Sequence, residues 1–310
     1  MDSPSQGKPQ LHQSHLAMLS RCGEQFRRVY IEGHREPPGV ARLIGAVTHH
    51  AIKENLQLKI EGKILSGAEV SDLARASFDS IWLEAPLTFT QDEMAAGADR
   101  VKGQAIDTSI ALVVAHHLEL VPIISPVAGG LERAWVIRCE GYPYDLAGTI
   151  DIDEGSRIRD TKTRNKNPGQ KEADTSDQLT IYAMVKKIVD GVDVESVVLD
   201  CLVKGDEAKV FSYKSTRGMA DFLVAKNRFE RAVEVIEKEA FTPASQSDWW
   251  CSARFCGFAA DGSCPFYRGL KTFSMAVPKS TKPTTRKGVK TRGSKSIIKA
   301  HSTEWYDAVR

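Results

Sequence analysis

Apolar residues recur every three or four positions from residue 14 to about 32, where Leu16, Leu19, Cys22, Phe26, Val29 and Tyr30 form one stripe behind Ser14, a good capping residue. This spacing predicts an amphipathic helix with Cys22 on its buried side. Beyond the breaker Pro37-Pro38-Gly39, a second helix over about 42–59 puts Gly45 and His49 one turn apart on the same face. Helical spacing continues through 71–82 and 92–120, so the N-terminal third reads as largely helical. The pattern then changes: 131–139, 144–152, 156–163, 196–203 and 209–213 are short, rich in β-branched or aromatic residues and bounded by turn residues. These are five expected strands. A helical pattern at 176–189 separates the third from the fourth, and another at 218–239 leads into a Cys-rich stretch, 249–267. The order predicts an α/β fold with helices packed on a mixed central sheet.

Composition adds class and charge. The chain has 310 residues, enough for one large domain or two small ones, and 42% hydrophobic with 26% charged residues excludes collagen-like and wholly disordered chains. The net charge of +2 conceals an asymmetry, because residues 271–310 hold ten basic and two acidic residues and leave 1–270 with a net charge of −6. Nine of those Lys and Arg lie between Lys271 and Ala300 with no acidic residue among them, a run suited to phosphate backbones or simply to solvation. From about Met275 no packing period remains. We therefore expect 1–13 to be flexible, 14–270 to form the folded domain with a helical insertion at about 60–125, and 271–310 to be a disordered basic tail, its Trp305-Tyr306 available to dock a protein partner. Residues 1–14 have no apolar stretch, and the most apolar segment, 110–124, is broken by His116, His117 and Glu119, so the expected setting is cytoplasmic, with no membrane. No Gly-x4-Gly-Lys-Ser/Thr loop marks an NTP motor.

The chemistry is concentrated in the run Gly148 to Thr163. On a strand, Asp160 and Lys162 project to the same side. The turn at Asp153-Glu154-Gly155 folds the preceding strand back alongside, so that Asp151 can converge on Asp160. Two carboxylates sharing a site repel unless a cation lies between them, and hard oxygen ligands suit Mg²⁺ or Mn²⁺. A water activated there beside an amine is a hydrolytic arrangement. Asp-x-Lys alone is more often a solvated strand face, but Gln178 and Tyr182 follow one helical turn apart, and His49 lies upstream. An imidazole ligand would favour Mn²⁺ over Mg²⁺.

In order and spacing, Gly45 with His49, Gly148 with Asp151, Asp160 with Lys162 and Thr163, and Gln178 with Tyr182 resemble the PD-(D/E)XK nuclease superfamily, specifically its RecB-like exonucleases. The usual Pro before the first acidic residue is replaced by Ile150. The resemblance implies a restriction-endonuclease-like core. It also implies metal ligation by His49, Asp151 and Asp160 with the Thr161 carbonyl, a catalytic Lys162, and DNA-contacting or supporting roles for Gln178 and Tyr182.

Cys251, Cys256 and Cys264 stand in one C-terminal segment, and Cys22 is the candidate for a fourth ligand. Four cysteines suit a [4Fe–4S] cluster or a tetrahedral Zn²⁺. One remote cysteine plus a trio is similar to the iron–sulfur RecB-like nucleases of the AddB and CRISPR-associated types, including phage-encoded forms. Cys139 and Cys201 lie in strand patterns and read as small buried hydrophobes. The resulting expectation is a metal-dependent deoxyribonuclease acting from ends on single-stranded DNA, in recombination, repair or replication. A structure-specific or nicking endonuclease, and a non-catalytic DNA-binding or assembly subunit, are the alternatives.

Overall fold

A computed structural model of the chain describes residues 7–34, 37–84 and 87–269; the basic tail expected from 271 onward lies outside the described residues. The elements in order are β1 (Gln10–His12), α1 (Gln13–Arg21), α2 (Gly23–Phe26), α3 (Val40–Ile60), α4 (Gly67–Glu84), α5 (Gln91–Ala96), α6 (Ala98–Glu119), β2 (Leu131–Ile137), β3 (Asp145–Asp153), β4 (Arg157–Arg164), α7 (Gln170–Asp174), α8 (Asp177–Asp190), β5 (Ser196–Val203), β6 (Lys209–Ser215), α9 (Met219–Glu237) and α10 (Gly257–Ala260). A π-helical turn, Arg27–Ile31, follows α2. The chain divides into two compact units, one built from 7–13 and 37–230, the other from 14–34 and 231–269.

The larger unit is built on a six-stranded mixed sheet. One edge of β3 pairs antiparallel with β2, and its other edge is shared by β1, parallel at Asp145–Ala147, and by β4, antiparallel at Ile152 and Asp153. Next come β5, parallel to β4, and β6, antiparallel to β5. One hydrophobic core joins α3 (Leu43, Ile44, Val47), α4 (Phe78) and α6 (Leu112) to Ile152 of β3 and Leu202 of β5. Each of these side chains contributes roughly 1.5–3 kcal/mol by leaving water. Helix α8 is buried on nearly every side from Leu179 to Lys186, which is why its pattern is close to continuously apolar. Ser176 caps its first turn through the Leu179 N–H, and Gly191, in the left-handed region, ends it.

Two expectations need correction. Residues 10–12, inside the segment expected to be flexible, form β1, and three residues are too short a run to show a period. The first helix is also not continuous, since Cys22 adopts extended backbone and caps α2 with its sulfur. The break is imposed from outside. The backbone of Phe241 and Thr242 comes so close to Gly23 that a Cβ there would lie 2.7 Å from the Thr242 nitrogen, and the Gly23 N–H donates to the Thr242 carbonyl.

Candidate active site

The hairpin between β3 and β4 closes with the Glu154 N–H donating to the Arg157 carbonyl at 2.8 Å and with Gly155 in the left-handed region. Its register pairs Ile152 with Arg159 and Asp153 with Ile158, which carries Asp151 opposite Asp160 as the sequence predicts. There the ladder stops and the strands part. The Thr161 N–H donates instead to the Asp151 carboxylate, at 3.1 Å.

Elements from the rest of the larger unit converge on this split. Asp160 is fully buried, and the Lys162 ammonium donates to its Oδ1 at 2.8 Å, so the two residues do share a face. Helix α3 brings the His49 Nδ1 to 3.5 Å from the Asp151 Oδ2. One turn earlier, a Cβ on Gly45 would lie 3.5 Å from the Thr163 hydroxyl, so the helix sits close against β4 at this point. From α8, the Gln178 amide donates to the Tyr182 hydroxyl at 2.6 Å, which leaves the phenolic O–H free to donate. Deeper under α8, buried Asp153 accepts from Lys186 at 2.9 Å and from Arg133 at 2.7 Å, tying that helix to β2 and β3.

Glu132 was not expected. Its Oε1 lies 3.8 Å from the His49 Nδ1, and one ligand atom from each of His49, Glu132 and Asp151 falls within 4.8 Å of the others. The backbone of Glu132 has φ 47°, a conformation rare for a side-chain-bearing residue and often found at functional sites. No motif marks this residue. Its relevance comes from the β2–β3 register, which puts it between the pairs Leu131↔Ile152 and Arg133↔Ile150, across from Asp151.

Burial and the neighbouring charge of Asp160 push the Asp151 carboxyl up to about 7, against the opposing pull of Lys162 and His49. Burial alone would depress the His49 imidazole, but its interaction with Glu132 and the charge of Asp151 outweigh this and raise it. Lys162 follows the same logic: burial lowers it, Asp160 and Asp151 more than compensate, and it stays an ammonium. Burial, then the two aspartates, raise the Tyr182 phenol, which therefore stays protonated. The second oxygen of Asp160, Oδ2, is buried with no hydrogen-bond partner. An orphaned carboxylate oxygen, a carboxyl that resists ionisation beside a second one, and a His-Glu-Asp group at ligand spacing fit a hard divalent cation.

A family model of the PD-(D/E)XK nuclease superfamily matches residues 10–265. The chain belongs to this superfamily. The nuclease core resembles the crystal structure of a proposed exonuclease from Eubacterium rectale, with a TM-score of 0.51 at 13% identity over 81% of this chain and 92% of that one. A likeness at that identity concerns the fold alone. The structure of SSO0001 gives a TM-score of 0.36 at 14% identity, over 86% of this chain and 90% of that one. A search of curated proteins returned no match. Among the described residues, no helix of this nuclease is long and apolar enough to cross a membrane.

In the smaller unit, Cys22, Cys251, Cys256 and Cys264 are all free thiols. The Cys22 sulfur accepts backbone N–H groups from Gln25 and Ala244, each at 3.4 Å. Burial raises the Cys251 thiol, and the charges of Cys22, Cys264 and Cys256 add to this, so the four sulfurs are near enough to act on one another. Burial also raises Cys256, against the N–H groups of Ala259 and Phe258. Backbone donors aimed at clustered thiols fit a group that holds them as thiolates. Cys139 and Cys201 are buried in the larger unit, where burial pushes them up to about 12 and about 11, as inert core thiols should behave.

Proposed function

We propose that the chain is a metal-dependent deoxyribonuclease that hydrolyses single-stranded DNA from its ends. The observation that carries this reading is the meeting of Asp151, Asp160, Lys162 and His49 where β3 and β4 part, in a chain of a nuclease superfamily. Asp151, Asp160 and His49, with the Thr161 carbonyl, would hold Mg²⁺ or Mn²⁺. When bound, the cation supplies Lewis-acid polarisation of the phosphodiester and makes water a competent nucleophile.

The remaining work falls to the protein. Lys162, fixed by Asp160 and kept protonated, orients the attacking water and offsets the negative charge that grows on the phosphoryl oxygens. The Tyr182 hydroxyl, with its oxygen occupied by Gln178, is left to donate to a phosphate oxygen of the bound strand. Asp151, anchored by the Thr161 N–H, holds its ligand position without needing to reorganise.

We assign the four cysteines of the smaller unit to a [4Fe–4S] cluster with an architectural role, Zn²⁺ being the alternative, and place the enzyme in DNA recombination or repair. The test is degradation of end-labelled linear single-stranded DNA in Mn²⁺, with Lys162→Ala as the matched control. The wild type should degrade it and the variant should fall by about 10²–10³-fold. Circular single-stranded DNA should survive; cutting of the circle would identify an endonuclease. DNA binding without any cleavage by either protein would leave the assembly-subunit reading.

A further inference from the structure

The smaller unit exposes aromatic surface that its own fold does not use. Trp249 is 65% exposed, Phe255 50% and Phe266 45%. They are not loose: the Trp249 ring stands edge-on to Phe255 with centroids 4.7 Å apart and to Trp250 at 5.5 Å. Short turns hold the segment, with the Cys251 N–H on the Asp248 carbonyl, the Phe255 N–H on the Ser252 carbonyl, and the Ser252 hydroxyl on the Trp249 carbonyl. Gln246 holds the Phe266 loop, donating to the Phe266 carbonyl and accepting the Arg268 N–H at 3.2 Å. The exposed guanidinium of Arg254 lies 5.3 Å from the centre of the Phe255 ring.

We propose that Trp249, Phe255 and Phe266, with Arg254, form a stacking surface for the bases of single-stranded DNA. None of them belongs to the hydrolytic site. Exposed rings held in place by their own packing are preorganised for flat ligands, and base–aromatic stacking tolerates every sequence because every base offers a π-face. The charge selects the occupant. Arg254 presents a planar cation within the patch, and the chain that follows carries nine Lys and Arg with no acidic residue from Lys271 to Ala300, which suits a polyanion. Duplex DNA keeps its base faces stacked internally, so only an unpaired strand can use the rings. This inference rests on the single-strand preference proposed above and supplies a place for it.

The test uses the full-length protein with Ca²⁺ in place of Mg²⁺ or Mn²⁺, and reads anisotropy of a labelled 30-nucleotide oligothymidylate and a 30-base-pair blunt duplex. Trp249→Ala and Phe255→Ala should each weaken the single strand by about tenfold, Trp249→Phe by no more than about threefold, and all three should leave duplex affinity and the salt dependence unchanged. Equal losses on both DNAs, unchanged single-strand binding, or Trp249→Phe as damaging as Trp249→Ala would overturn the surface. Should an alanine variant fold poorly, wild-type protein irradiated with bromodeoxyuridine-substituted oligonucleotide decides: label is expected within residues 249–266, and label only elsewhere refutes the proposal. Cleavage failing while this binding behaves as expected would count against the hydrolytic reading alone.

Discussion

With burial and the Asp160 charge holding Asp151 near 7, its carboxyl must lose a proton before it can ligate a cation. Because the raised His49 must also lose its proton to ligate, Mn²⁺ affinity should fall by more than about tenfold per pH unit below about 7, read by titration calorimetry on wild type, and this slope should flatten in Asp151→Asn. His116 makes the opposite kind of statement. Both of its ring nitrogens are buried without partners, and burial, then the charges of Arg159 and His117, push it down to about 3. Its folded pKa lies below the ordinary histidine value of 6.5, so the unfolded chain takes up the proton first and stability is lost as pH falls from about 6.5 towards 3. The limiting slope is about 1.4 kcal/mol per pH unit. Denaturation of His116→Leu across pH 4–7 should show a flatter acid limb than wild type; an unchanged limb would place the acid sensitivity elsewhere.

Among the elements, two glycines of similar motif standing have different physical roles. Gly148 of β3 faces the Trp135 indole, and a Cβ there would lie 2.6 Å from a ring carbon, so Gly148→Ala must displace a buried Trp and should cost about 1–3 kcal/mol in urea unfolding. Gly45 in α3 has ordinary contact distance to Thr163, so Gly45→Ala should fold well and gain up to about 1 kcal/mol of helix propensity. The five longer strands and the helices α3, α8 and α9 were legible because each spans seven residues or more, with either one buried face that leaves a period of two or near four or, in β5 and α8, burial all round that leaves a nearly continuous apolar run. The interruption at Cys22 was not, because the local stripe continues through it and the cause lies about 220 residues downstream at Phe241 and Thr242.

For the whole molecule, the four cysteines come from two distant chain segments that meet in the smaller unit, where the Cys22 sulfur accepts the Ala244 N–H. If the four thiols carry an iron–sulfur cluster, protein purified anaerobically should be brown with broad visible absorbance. Cys22→Ser should then lose that absorbance and lower the thermal midpoint, while a colourless wild type with stoichiometric zinc would replace the cluster assignment.

The sequence by itself determined the α/β class, the hairpin that sets Asp151 against Asp160, and the pairing of Asp160 with Lys162, because each follows from residues close in the chain and from strand alternation. It also determined the ordered set of short motifs that names the superfamily. Only the tertiary structure decided that β3 and β4 part at the carboxylates, that His49 reaches them from α3, and that Glu132 joins His49 and Asp151. Those facts depend on strand register and helix placement between segments about 20 to 100 residues apart. Local periodicity carries no information about which distant side chains will meet, and burial in the folded chain is what changes their charge states.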